Sequence, residues 1–210
     1  MQNNGAPSSH DRILQAAKQL FAQRGFENTT TIMIARAANT SESQLVKHFG
    51  SKDGLLEAIF ESGWRAMEES CEAAMRAPAP LDRLRLLIKG ILAGLERDPE
   101  LRELMLLESR RIRKAGNLVL ITRSFINLLA RLEGLLTQMQ AAGGLRPGLH
   151  PQAAASALVG ACEGMLRDQL LARRQGLAMN YTNEDVDTVF DVVLAAFVVP
   201  EKSSQAGAGS

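Results

Sequence analysis

The stretch from Asp11 to Phe60, DRILQAAKQLFAQRGFENTTTIMIARAANTSESQLVKHFGSKDGLLEAIF, leaves little freedom for any fold other than a cluster of short helices. Ile13, Ala17, Leu20 and Phe21 stand at the spacing of one buried helical face. Gly25 then ends that helix, because glycine enters the left-handed region without steric cost. Thr29, Thr30 and Thr31 offer hydroxyl caps for a second helix through Ile34, Ala35 and Ala38. Ser41-Glu42-Ser43-Gln44 has the spacing of a capping box, Ser at N-cap and Gln at N3, and opens a third. That helix is short. Leu45 and Phe49 face inward, and Glu42, Ser43, Gln44 and Lys47 stay outside. Two helices joined by a turn of about four residues, the second short and polar on its outer face, read as a helix-turn-helix. Such a unit places its second helix in a DNA major groove.

The same residues resemble a family. Gly25-Phe26, Thr29-Thr30, Ile34-Ala35-Arg36-Ala37-Ala38, Ser41 and Leu45-Val46-Lys47-His48-Phe49-Gly50-Ser51-Lys52-Asp53-Gly54-Leu55 are similar to the pattern of the TetR family of bacterial transcriptional regulators. The match is nearly gapless over about a quarter of the chain. Three positions depart from it. Asn39-Thr40 stands where the family usually has Gly-Val, and Asn also tolerates the left-handed turn conformation. Val46 replaces an aromatic residue that commonly reaches the DNA backbone. Ile32 and Met33 occupy positions that are usually polar.

Composition narrows the class. The 210 residues can bury a substantial core, and 24 basic against 23 acidic side chains give a formal charge of +1. That balance argues against a non-specific, histone-like binder and fits a DNA-reading head on a larger body. Cys71 and Cys162 are far apart with no CxxC, so neither a disulfide framework nor a zinc site is indicated. No apolar run reaches the roughly 18–20 residues a bilayer requires. MQNNGAPSSH lacks a signal-peptide core. The expectation is a cytoplasmic protein with no membrane partner, no cofactor and no metal.

Helical periodicity continues beyond Phe60, and no segment alternates long enough for a strand. The fold class expected is all-α with about nine helices. The expected organisation is a disordered arm over 1–9, a helix-turn-helix DNA-binding head over 10–54, a helical ligand-binding and dimerisation body over 55–199 and a disordered, Ser/Gly/Ala-rich tail over 200–210. A fourth helix runs to about Met75, a fifth ends before Asp98-Pro99, and a sixth starts there with Asp98 as N-cap and Pro99 at N1. The sixth extends through the basic cluster Arg110, Arg111, Arg113 and Lys114. A seventh covers Leu118 to Ala142, an eighth Pro151 to Arg174, and a ninth is capped by Thr182 or Asn183.

The eighth helix is rich in small residues. The ninth is apolar on more than one face, so something must cover it. The resemblance implies pairing with the same helices of a second copy in a four-helix bundle, through Ala157, Gly160, Val189, Val193 and Phe197. Closing the monomer's own core is the plainer alternative. A two-fold dimer carries two heads about 34–36 Å apart, or a multiple, and reads a palindromic operator in double-stranded DNA.

Chemistry allots the DNA contacts. Ser43, Gln44 and Lys47 are candidates for base edges, since Gln pairs with adenine and Lys with guanine acceptors. Thr30, Thr31, Ser41, His48 and Lys52 are candidates for phosphate. Thr30, Ser41 and Ser51 also read as plain helix caps, a role compatible with phosphate binding. Glu42 either pairs with cytosine N4 or repels the backbone.

The resemblance also implies an effector pocket among helices four to eight. Trp64, Met67, Met105, Phe125 and Met165 suit a hydrophobic or amphipathic small molecule, with Glu163 as the polar group. Trp64 also reads as core, and Glu163 as an internal ion pair with Arg110 or Arg111. Catalysis finds no support: His10, His48 and His150 are scattered, no Glu-x-x-His exists, and Glu68, Glu69, Glu103 and Glu108 read as solvated faces. The expected function is a homodimeric repressor released by a small ligand. The alternative is an adaptor that keeps the fold without specific DNA binding.

Overall fold

A computed structural model describes residues 7–109 and 122–200. Among the described residues there are nine helices and no strand: α1 Ser9–Arg24, α2 Thr31–Ala37, α3 Glu42–Phe49, α4 Lys52–Ala74, α5 Pro80–Arg97, α6 Pro99–Glu108, α7 Arg123–Ala141, α8 Pro151–Gln175 and α9 Asn183–Phe197. They form two compact units, Met1–Arg76 with Leu86–Leu128 and Ala77–Arg85 with Leu129–Ser210. The basic cluster at Arg110, Arg111, Arg113 and Lys114 lies outside the described residues, as does the expected start of α7 at Leu118.

In the first unit the helix ends follow from single residues. Ser8 caps α1 by accepting from Asp11 N–H. Gly25, at φ +80°, ends it and donates to Phe21 O at 2.9 Å. Phe26 then folds back on Phe21, with ring centroids 5.1 Å apart. Of the three threonines that follow, Thr29 is fully buried, and its hydroxyl donates to Gly25 O (2.9 Å) with Leu20 O at 3.2 Å. Thr30 is the cap of α2.

One core joins the helix-turn-helix to α4 and α6. Ile13, Ala17, Phe21, Ile34 and Leu45 are buried together with Leu55, Leu56, Ile59, Phe60, Leu101 and Leu104. Burying side chains of this size contributes about 1.5–3 kcal/mol each, so the head draws much of its stability from α4 and α6. Gly63 permits the close approach of α4 to α6. A Cβ built there would lie 2.4 Å from Leu101 Cδ2. Lys18 adds a polar link, with Nζ 2.7 Å from Asp98 Oδ2 while Asp98 Oδ1 caps α6 through Leu101 N–H. Glu108 corrects the sequence reading. It is buried, not solvated, because it lies on the turn after Leu101 and Leu104 on the inner face of α6.

In the second unit α8 packs on α9. Leu158, Cys162, Leu166 and Leu170 form the buried stripe of α8, and Val186, Phe190 and Leu194 that of α9. Thr182 and Asp185 make a reciprocal capping box at the start of α9. Thr182 N–H, 2.7 Å from Oδ2, and the Thr182 hydroxyl hold the Asp185 carboxyl below its ordinary pKa. Arg85 Nε donates to Asp191 Oδ1 at 2.9 Å. An isolated antiparallel bridge, Leu145 to Val198, ties the loop after α7 to the end of α9. Arg146 N–H donates to Phe197 O at 2.8 Å and Val199 N–H to Gly144 O at 2.9 Å.

Candidate nucleic-acid interface

The turn between α2 and α3 is a complete Schellman closure. Asn39 N–H donates to Arg36 O (3.2 Å) and Thr40 N–H to Ala35 O (2.9 Å), with Asn39 at φ +50°. Arg12 supports it from α1, donating from Nε to Ala38 O at 3.2 Å and from a terminal nitrogen to Pro7 O at 2.9 Å. Ser41 then caps α3, its hydroxyl accepting from Gln44 N–H at 3.2 Å and lying 2.9 Å from Ser43 Oγ. Leu45 is the buried anchor of α3. Fixed at both ends and by one apolar pin, α3 keeps Glu42, Ser43, Gln44, Val46, Lys47 and His48 exposed.

Several candidate contact residues have structural partners. Thr31 donates its hydroxyl to Glu42 Oε1, joining the first turns of α2 and α3. His48 Nε2 lies 3.1 Å from Ser9 Oγ, and its ring meets that of His10 edge to face, with centroids 5.7 Å apart. His10 in turn lies on Phe49 at 4.8 Å. Lys52 points inward: Nζ donates to Phe26 O (2.9 Å) and Thr29 O (3.1 Å) and sits 4.2 Å above the Phe26 ring. It staples the start of α4 to the loop before α2 and keeps one N–H for another acceptor.

Arg36, which is not among the residues expected to contact DNA, is exposed on α2, and its guanidinium has no partner among the described residues. A basic residue on an outer helical face carries no distinguishing sequence signal. Ile32 and Val46, 58% and 47% exposed, are apolar side chains on this same pair of helices.

The candidate effector residues fall in both units. In the first, Trp64 and Phe125 rings lie 5.7 Å apart, and Ser124 donates to Glu61 Oε1 at 2.6 Å, so the first turn of α7 docks on α4. Met105 packs against the core there. A cleft of about 360 Å³ in this unit is lined by Lys18, Ser62, Gly63, Met67 and Asp98, among others; of the expected pocket residues it includes Met67. In the second unit, Met165 O accepts from Tyr181 Oη at 2.7 Å. Glu163 is half-buried, with Arg167 on the next turn of the same helix at 3.9 Å; Arg110 and Arg111 lie outside the described residues. Burial first, then Asp187 and Glu163, push the Cys162 thiol up to about 11.

The candidate interface residues all lie in the second unit. Ala157 and Gly160 are exposed on α8, and a Cβ at Gly160 would meet nothing within 4 Å. On α9, Val189 is 41% exposed, while Val193 and Phe197 are half-buried.

The chain is similar to several known proteins. The family model described as bacterial regulatory proteins, tetR family, matches residues 13–59. The nucleoid occlusion factor SlmA of Aliivibrio fischeri is 30% identical over 168 residues, spanning 75% of this chain and 82% of that protein. Among solved structures, SmeT, the repressor of the Stenotrophomonas maltophilia multidrug efflux pump SmeDEF, superposes with a TM-score of 0.74 at 24% identity, covering 97% of this chain and 96% of its own. FadR of Bacillus subtilis in complex with stearoyl-CoA gives 0.70 at 22% identity, covering 88% and 95%.

Proposed function

The chain belongs to the TetR family of bacterial regulatory proteins, and from that premise we propose that it is a homodimeric, sequence-specific DNA-binding regulator: a cytoplasmic repressor released from a palindromic operator by a hydrophobic or amphipathic small molecule. Family members are regulatory DNA-binding proteins rather than enzymes. No described helix is long and apolar enough to cross a membrane.

The observation that carries the reading is the outward face of α3, where Gln44 and Lys47 stand exposed on a helix fixed by its cap, its turn and Leu45. Their terminal groups make no bond to any described residue and are available to base edges, with Ser43 beside them. Thr30, Ser41, Arg36 and His48 supply hydroxyl, cationic and imidazole groups for phosphate. Thr31 would contribute its free backbone N–H, since its hydroxyl is engaged, and Lys52 its remaining ammonium hydrogen. The exposed small residues of α8 and valines of α9 form the dimer contact. In the first unit Trp64, Met67, Met105 and Phe125 serve the effector. Long-chain acyl thioesters are the first ligands to try, since stearoyl-CoA occupies the Bacillus subtilis FadR structure, and Trp64, the one Trp in the chain, provides the fluorescence signal.

Selection from random duplexes at physiological salt tests the reading. The wild-type chain should enrich a two-fold palindrome. Replacing Gln44 and Lys47 with Ala should reduce its preference for that site by roughly 30-fold or more while the chain stays folded, from about 1–3 kcal/mol per base contact. Enrichment of the same palindrome by the double variant would refute the assignment of these two residues.

The SlmA relatives favour a second reading, in which the DNA-bound dimer works as a nucleoid occlusion factor. Mapping bound sites in cells separates the two: a few promoter sites support the regulator, whereas many sites spread along the chromosome support the second role.

A further inference from the structure

Glu42 is the only acidic side chain of α3, and it stands at the helix end that enters the groove in a helix-turn-helix. Its Oε1 accepts from the Thr31 hydroxyl. Its Oε2 has no partner among the described residues, and no described cation lies within ion-pair distance. The carboxylate is therefore oriented without being neutralised. A hydroxyl from another helix fixes one oxygen, and the full negative charge stays on the exposed face of α3.

An acid in the first helical turn is favoured by the helix dipole wherever its rotamer points, so that role needs no tether from α2. Beside DNA phosphates the charge is unfavourable unless it meets a hydrogen-bond donor. The donors on the major-groove edge are cytosine N4–H₂ and adenine N6–H₂. Adenine sets the N7 acceptor beside its amino group, which repels a carboxylate. Thymine at the same place presents O4 and a methyl group. Cytosine offers its amino group alone.

We propose that Glu42, oriented by Thr31, reads a cytosine amino group in each operator half-site, with Oε2 accepting from N4–H₂. This rests on the DNA-reading function proposed above. It makes Glu42 a specificity-determining residue and Thr31 a positioning residue, and it gives a use to an acid that otherwise weakens binding to every DNA equally.

The test carries the wild-type chain, Glu42→Gln and Thr31→Val through the same selection from random duplexes, with circular dichroism to confirm that each variant is folded. Glu42→Gln keeps an oxygen for Thr31 but can place an amide NH₂ where Oε2 stood. The expected wild-type result is a cytosine at one fixed position of each half-site. In Glu42→Gln that preference should fall by about tenfold and shift toward bases that present an acceptor, with other positions unchanged. Thr31→Val should weaken the preference at that position only. A Glu42→Gln chain with the wild-type base preferences and a uniformly altered affinity would overturn the proposal, since the carboxylate would then be structural. A wild-type palindrome without the cytosine would overturn it and leave the DNA-reading function intact. A wild-type chain that enriches no site would remove that function, and the proposal with it.

Discussion

Two helices near opposite ends of the sequence, α3 and α9, bury an apolar stripe in the same way and differ in what they leave outside. The outer side of α3 carries a carboxylate, a hydroxyl, an amide and an ammonium, with Thr31 and Ser41 holding two of them in place. The outer side of α9 carries Val189, Val192, Ala195 and Ala196, with Val192 64% exposed. A polar face on a rigid support suits a hydrogen-bonding polyelectrolyte. A contiguous apolar face suits another protein surface, and α8, which packs on α9, also leaves Ala157 and Gly160 exposed. Amphipathic periodicity locates the inner faces of both helices, but only the chemistry of the outer faces tells the two helices apart.

The sharpest way to break this contrast is to place a charge on the apolar side. Val192→Asp should leave the monomer folded, because the side chain is already exposed. Burying the unpaired charge in a dimer contact costs about 3–5 kcal/mol, so the dimer dissociation constant should rise by roughly 100-fold or more, as sedimentation would read. An unchanged dimer would move the subunit contact elsewhere.

On the polar side, Lys52→Met removes a charged donor from Phe26 O and Thr29 O. It should lower unfolding stability by roughly 1–3 kcal/mol in a denaturant titration without changing the base preferences of the chain. Loss of DNA affinity with no loss of stability would show that the ammonium serves phosphate first. A smaller effect is expected at the turn. Asn39→Ala should cost about 1 kcal/mol, the penalty of a left-handed Cβ, while Asn39→Gly should be neutral or stabilising. Equal stabilities for the two variants would show that the turn relaxes.

The smallest effect concerns Cys162. Its folded-state pKa lies near 11, above the ordinary thiol value of 9.0, so the native state retains the proton longer than the unfolded chain does. Its contribution to stability is complete below about pH 9 and is lost as pH rises through 11. Alkylation at pH 8 should accordingly be slow at Cys162 until the protein unfolds, and fast native labelling there would contradict its burial.

The head was legible because its signals are local. Ser41 and Gln44 are three residues apart, Gly25 follows the helix it ends, and Asn39 tolerates the conformation the turn requires. Contacts that need tertiary placement were not legible. Nothing in the spacing of Thr31 and Glu42 brings them together, and a lysine at the start of a helix gives no sign that it will turn inward, as Lys52 does. The bridge between Leu145 and Val198 joins two segments too short to show alternation. Glu108 reads as surface by residue type and is buried by register, since periodicity outranks polarity once Leu101 and Leu104 set the inner face. In the body, long helices disclose which face is inside, and they do not disclose which side chains meet. Periodicity does not show that the rings of Trp64 and Phe125 meet, as they do at 5.7 Å.

In the proposed complex two α3 helices, joined through α8 and α9, read one palindrome. The most direct measurement titrates the protein against duplexes holding the whole selected site or one half of it, with the mass of each complex recorded. Two chains should bind the whole site cooperatively, and binding to the half-site should be much weaker. One chain on either duplex with equal affinity would contradict that arrangement.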